Sequence, residues 1–414
     1  MHLNLDPRDT ICVARQPIVD QSGKVFGYEL LYRGGTDDTT CTAAGDLAAA
    51  RVFNDAVLNL GLDTLTAGHL AFVNLTRPLL VDDAATLLPP SATVLEVRED
   101  VPIDGAVLEA CRRLHGLGYA LALDDFTADS DAEALLPFAK FVKVDVLSTP
   151  IDAWARLARR LLSGGVRLIA EKAETADVVQ TAGAAGYTLF QGYFFCKPRT
   201  FSAAAVPARR LAYLNLLAAL SRPDLTVSQL ENLVKHDVSL SYRVLRCINS
   251  AAFGLRQEIR SIRQALVMLG TDRIRKWASV WSLAGLNSGT PETVTVALLR
   301  ARCCELVGEA LSGAEAGSEF FLLGLCSLLD AMLDRPMANA LSDMPLPAPI
   351  RDALLGASNA ARSVLDLVVA YERGAWDEAE GAATAAGLPA AALPAAYADG
   401  LRWARELSQT SLAA

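Results

Sequence analysis

ALALDDFTADSDAEALLPFAKFVKVD, residues 120–145, is the stretch whose reading decides the fold. It opens on an apolar run, Ala120–Phe126, that carries two adjacent acids, Asp124 and Asp125. It closes on a second run, Phe141–Val146, that holds Lys143 and Asp145. Both runs have the aliphatic and aromatic density of strands buried on two faces. A charged side chain inside such a strand needs a reason, and here the charges gather towards the C-terminal end of each run.

The same pattern repeats outward in both directions. Candidate strands Cys12–Val19, Val25–Tyr32, Leu70–Thr76, Thr93–Glu99, Arg167–Ala173 and Leu189–Phe195 join the first two. Between them lie amphipathic stretches at Leu47–Leu60, Gly105–Leu117, Ile151–Leu162 and Ala176–Ala185. Eight strands with helices between most of them predict an α/β fold, an irregular (β/α)8 TIM-like barrel. The short turn Gln21–Lys24 between the first two strands is a hairpin signal, so one strand is expected to run antiparallel.

The rhythm changes after Lys197-Pro198-Arg199, and only helical periodicity follows. The expected helices are Ala208–Ser221, Val227–Lys235, Ser239–Asn249, Ile262–Leu269, Thr271–Leu286, Thr293–Leu311 and Phe320–Leu333. The Ala-rich stretch Glu378–Gly400, broken by Pro389 and Pro394, reads as short helices and turns. Two domains are expected, a barrel over 1–200 and an all-α domain over 205–414. With 414 residues and 52% hydrophobic content the chain can build both cores. A net charge of −9 argues against nucleic acid as a partner. The eight cysteines form no CxxC pair, the first residues carry no apolar leader, and no apolar run is long enough to span a bilayer. A cytoplasmic protein with no membrane partner is expected.

The polar residues share one address. Glu29, Asn74, Glu96, Asp124, Asp125, Lys143, Asp145, Glu171 and Gln191 all lie in or just after a candidate strand, towards its C-terminal half. In a barrel those ends converge on the face where barrel active sites lie. One acid at a strand end is usually a helix cap or a surface ion pair, but so many in strand register call for another reason. Five of these carboxylates, Glu29, Glu96, Asp124, Asp125 and Glu171, would repel one another at one mouth, and hard divalent cations relieve this. An all-oxygen set with an Asn carbonyl suits Mg²⁺ or Mn²⁺, whereas none of the four histidines sits at these ends to favour zinc. Two such cations can clamp a phosphodiester and activate water, with Lys143 placed to stabilise the water or the phosphate charge.

At these residues the segment of about 10–200 resembles the EAL domain, the phosphodiesterase that linearises cyclic di-GMP. Gln16-Pro17-Ile18 resembles its QPI motif, and Glu29-Leu30-Leu31-Tyr32-Arg33 its E-A-L-x-R signature. Phe72-Val73-Asn74-Leu75-Thr76, Glu96-Val97-Arg98-Glu99, Asp124-Asp125-Phe126, Lys143-Val144-Asp145, Ala170-Glu171-Lys172-Ala173-Glu174 and Gln191-Gly192-Tyr193 are similar to the remaining motifs, in order. The resemblance implies a two-metal site of Mg²⁺ or Mn²⁺ held by Glu29, Asn74, Glu96, Asp124 and Asp125. It implies Lys143 and Glu171 as the catalytic pair that positions or deprotonates water, Gln16, Arg33 and Gln191 as nucleotide contacts, and Glu99 as anchor of the loop after Asp125. It also implies a barrel-mediated homodimer and the product pGpG. The loop itself departs from the family's D-D-F-G-T-G and reads Phe126-Thr127-Ala128-Asp129-Ser130. That departure leaves two readings open: an active phosphodiesterase, and a degenerate barrel that serves as a cyclic di-GMP receptor or a protein-interaction scaffold.

The second half is similar to the HDOD domain, a helical relative of HD-type phosphohydrolases. The resemblance rests on Leu233–Ser241, Arg243-Val244-Leu245-Arg246, Ile248-Asn249-Ser250, Ile259–Ile262, Gln264-Ala265-Leu266, Leu269-Gly270 and Lys276-Trp277. His236-Asp237 suggests a metal site, but His236 is the sole histidine after residue 200, and one histidine does not make an HD centre. The expectation is a non-catalytic module that binds an unidentified protein partner.

Overall fold

The computed structural model describes residues 12–33, 61–82, 84–196, 226–236, 261–270, 278, 290–313, 316–341 and 346–412. The expected helices Leu47–Leu60, Ala208–Ser221, Ser239–Asn249 and Thr271–Leu286 lie wholly or almost wholly outside the described residues. Eight strands close into a barrel in chain order: β1 Cys12–Asp20, β2 Val25–Arg33, β3 Leu70–Leu75, β4 Thr93–Val97, β5 Ala120–Leu123, β6 Ala139–Asp145, β7 Arg167–Glu171 and β8 Leu189–Gln191. β1 pairs antiparallel with both β2 and β8, and all other pairs are parallel. The single inverted strand is the one set by the hairpin, whose turn is tied by Asp20, with its carboxylate accepting from the Ser22 and Lys24 amides.

Inside the barrel, one layer consists of Ile18, Phe72, Val94, Ala122, Phe141, Ile169 and Leu189, none exposed to solvent. The Phe72 and Phe141 rings meet edge-on at 5.4 Å. Gly27 completes the layer from β2, because a Cβ there would lie 2.8 Å from the Phe72 ring. Strand side chains alternate with a period of two, so the residue two places on from each of these faces inward again. Those residues are Glu29, Asn74, Glu96, Asp124, Lys143, Glu171 and Gln191, together with Gln16 on the inverted β1. An apolar floor and a polar layer above it follow from one periodicity.

By contacts the chain divides into two compact units. One contains Met1–Lys197 and Val369–Ala398, and the other Pro198–Val368 and Asp399–Ala414. In the first, the hairpin β1–β2 has no crossover helix of its own. There the later segment supplies the end of the helix Ala360–Glu372, the helix Trp376–Ala385 and the start of the helix Ala392–Leu412. Tyr397 accepts a hydrogen bond from the Arg15 amide at 3.3 Å, and the turn at Gly374 abuts Leu31 of β2.

The described part of the second unit is helical: Val227–His236, Ile262–Leu269, Pro291–Ser312, Gly317–Cys326, Leu329–Leu333, Met337–Leu341 and Ala348–Leu354. The expected helix Phe320–Leu333 is two helices, parted at Ser327-Leu328. Glu378–Gly400 holds a longer element than expected, because Pro394 falls in the first turn of Ala392–Leu412, where its missing N–H leaves no bond unmade. Among the described residues no helix is long and apolar enough to cross a membrane.

Candidate active site

The polar layer is tightly cross-linked. Register sets Gln16 opposite Glu29, Asn74 beside Glu96, and Asp145 beside Glu171. At the centre stands Lys143, wholly buried. Its Nζ lies 3.1 Å from Glu29 Oε2, 3.0 Å from Glu96 Oε1, 3.1 Å from Asp124 Oδ1 and 2.7 Å from Glu171 Oε1. Four acids, each from a different strand or the residue after it, thus surround one ammonium. Glu29 is further fixed by Asn74 Nδ2 and by Gln191 Nε2, each donating at 2.6 Å. Gln191 Nε2 also donates to Gln16 Oε1 at 3.0 Å. The Tyr32 hydroxyl donates to the Asn74 carbonyl.

The electrostatics separate the acids. Burial pushes Glu29 up, but Lys143 and the donors Gln191 and Asn74 outweigh it and hold the carboxyl below its usual range. Burial holds Glu96 well above that range against Lys143, with Glu29, Asp124 and Glu171 adding repulsion. Glu171 is pushed up to about 8, chiefly by burial, with the repulsion of Asp124 and Glu29 adding to it. Burial works against the Lys143 charge, yet the surrounding acids raise its pKa well above normal. A carboxyl that changes charge near neutral pH beside a fixed cation suits proton transfer from water.

Asp125 lies just outside this ring. Its φ of 41° is left-handed, its Oδ1 is buried without a hydrogen-bond partner, and burial raises its pKa. Asp145 accepts from Lys172 Nζ at 2.6 Å and from the Leu147 and Ser148 amides. Lys172 is itself left-handed, φ 54°, and its charge reaches Asp125. Glu99 is exposed, and its charge also acts on Asp125. The Arg33 side chain lies outside the described residues.

The site therefore gathers Gln16, Glu29, Asn74, Glu96, Asp124, Lys143, Glu171 and Gln191, with Asp125 at its edge. Sequence reasoning missed three neighbours. Lys172 could have been suspected from its place next to Glu171. Tyr32 gave no signal beyond its position in the strand. Arg373, whose carbonyl accepts from Gln16 Nε2 at 3.2 Å, gave none, because it is 357 residues away along the chain.

Hard cations fit the donor set. Glu96 Oε2, Asn74 Oδ1 and Asp125 Oδ1 are buried acceptors with no hydrogen-bond partner, and all are oxygens. Among the described residues no three Asp, Glu, His or Cys side chains are placed to hold a metal ion with Lys143 where it stands, because its ammonium occupies the point that four carboxylates share.

Comparison with known proteins places each half of the chain in a domain family. A family model for the EAL domain matches residues 5–198, and one for the HDOD domain matches 206–339. The uncharacterized protein YuxH of Bacillus subtilis is 35% identical over 381 residues, 89% of this chain and 92% of its own. The cyclic di-GMP phosphodiesterase CdgJ of Vibrio cholerae is 32% identical over 379 residues, 91% of this chain and 88% of its own. Among solved structures, the calcium and cyclic di-GMP complex of BlrP1 from Klebsiella pneumoniae is 24% identical, with a TM-score of 0.38 over 47% of this chain and 57% of that one.

Proposed function

The chain belongs to the family that joins an EAL domain to an HDOD domain, and from that premise we propose that it hydrolyses cyclic di-GMP to linear pGpG in a metal-dependent reaction. The observation that carries the reading is the ring of Glu29, Glu96, Asp124 and Glu171 around Lys143, each from a different strand or the residue after it. Glu29, Asn74, Glu96, Asp124 and Asp125 are the residues that would hold two cations, Mg²⁺ or Mn²⁺. When bound, such ions supply charge neutralisation for the phosphodiester and a more acidic water. Glu171 accepts the water proton, and Lys143 holds Glu171 and the attacking oxygen in place. The water oxygen forms the new bond to phosphorus, the P–O3′ bond breaks, the 3′ oxygen takes a proton from solvent, and Glu171 returns its proton to solvent. Gln16, Arg33 and Gln191 contact the nucleotide, and Glu99 steadies the loop after Asp125.

The barrel domain, 1–200, carries this chemistry, and the HDOD domain, placed at 205–414 by the sequence, is proposed as the non-catalytic interaction module. A cytoplasmic location and a barrel-mediated dimer go with this reading. The test is incubation of the purified full chain with cyclic di-GMP and Mn²⁺, with products separated by chromatography. Appearance of pGpG supports the proposal. Binding without product at high enzyme concentration supports the receptor reading instead, which the altered loop Phe126–Ser130 favours.

A further inference from the structure

The segment after the HDOD match returns to the barrel at one place, the rim formed by Gln16 and Gln191. Tyr371 is buried beside Cys12 and Tyr397, and Tyr397 takes the Arg15 amide. Between these anchors the chain turns through Arg373-Gly374. Gly374 has φ 72°, and a Cβ there would come within 2.6 Å of Leu31 Cδ1, so the turn is held close against β2. The Arg373 carbonyl accepts from Gln16 Nε2 at 3.2 Å. Its guanidinium lies over the Tyr193 ring, 4.9 Å from the centroid, while the residue as a whole stays exposed.

A relay thus runs from Arg373 through Gln16 and Gln191 to Glu29. Glu29 at the inner end of that relay is buried, whereas Arg373 at its outer end is exposed. The acids around Lys143 mark where a phosphodiester is handled. Gln16, Tyr193 and Arg373 lie to one side of them, on the β1–β8 flank, where a base attached to that backbone would extend. A guanidinium fork matches the O6 and N7 acceptors of guanine, and adenine offers a donor at the position of O6.

We propose that Arg373 is a specificity-determining residue, brought to the barrel from beyond the HDOD match, that reads a guanine edge of the bound nucleotide. This rests on the reading of the barrel as a cyclic di-GMP site. Stacking on Tyr193 preorganises the guanidinium, and the Gln16 bond to the Arg373 carbonyl fixes the turn that presents it.

The test is calorimetric titration of the full chain with cyclic di-GMP and with cyclic di-AMP in Ca²⁺, for wild type, Arg373→Ala and Arg373→Lys. Arg373→Ala should bind cyclic di-GMP about tenfold more weakly and leave cyclic di-AMP unchanged. Arg373→Lys should fail to restore the difference, since an ammonium has no fork. Ca²⁺ affinity and melting temperature should match wild type in both variants. Unchanged affinity for cyclic di-GMP in Arg373→Ala, or an equal loss for both nucleotides, overturns this inference alone. Failure of the wild type to bind cyclic di-GMP removes the proposed function and this inference together.

Discussion

Replacing Lys143 with methionine keeps the buried stem and deletes the charge that four carboxylates share. Lys143 is wholly buried, with contacts of 2.7–3.1 Å to Glu171, Glu96, Glu29 and Asp124. Removing one partner of a buried ion pair costs about 3–5 kcal/mol. For a unit of about 150–250 residues each kcal/mol moves the melting temperature by about 2–4 °C, so the chelated variant should melt roughly 6–20 °C below wild type. A cation that binds the freed acids reverses much of this. At a hundred times its Kd a ligand stabilises by about 2.7 kcal/mol, so Mn²⁺ should return half or more of the loss. The assay is thermal unfolding followed by circular dichroism, in EDTA and in Mn²⁺, for both proteins. Equal melting in EDTA would refute the idea that the ammonium holds the acids together. A variant that ignores Mn²⁺ would refute the idea that those acids accept a hard cation.

Three further outcomes follow from the same geometry. Glu29→Ala should abolish turnover and weaken Mn²⁺ binding at least about tenfold by calorimetry, while the variant still folds because Lys143 keeps three acids, with melting lowered because Asn74 and Gln191 lose their acceptor. Glu171 is pushed up from 4.5 to about 8, so between those values the folded chain holds a proton that the unfolded chain has released. Its contribution to metal-free stability therefore falls as pH rises through that window and levels off above it. Urea midpoints of wild type minus Glu171→Gln should decline in that range, and a rise would contradict the sign. Gly192→Ala should cost about 3 kcal/mol or more by chemical denaturation, because the residue has φ 147° and a Cβ would lie 2.2 Å from the Ala173 carbonyl oxygen. A midpoint equal to wild type would show that this close approach is not required.

The barrel and most of the site were legible because both rest on short-range patterns. A strand of period two that is apolar at Phe72, Val94, Phe141 and Ile169 and polar two places on at Asn74, Glu96, Lys143 and Glu171 writes a floor and a mouth into the same few residues. Strand ends were harder to place. β5 stops at Leu123 and β8 at Gln191, short of the apolar residues that follow, because Asp125 and Gly192 take positive φ and turn the chain out of the sheet. The role of Arg373 and Tyr397 was illegible, since nothing near them in sequence records that they lie against β1, more than 300 residues earlier in the chain. Pro394 misled for the opposite reason: its local signal to break a helix is cancelled by its position in a first turn.

The most direct measurement is an anomalous difference map from crystals of the full chain soaked with Mn²⁺. The account predicts density among Glu29, Asn74, Glu96 and Asp124 at distances of about 2.0–2.4 Å from their oxygens, with the Lys143 ammonium moved off them. A map without density there, with Lys143 still bridging all four of its carboxylates, would contradict it.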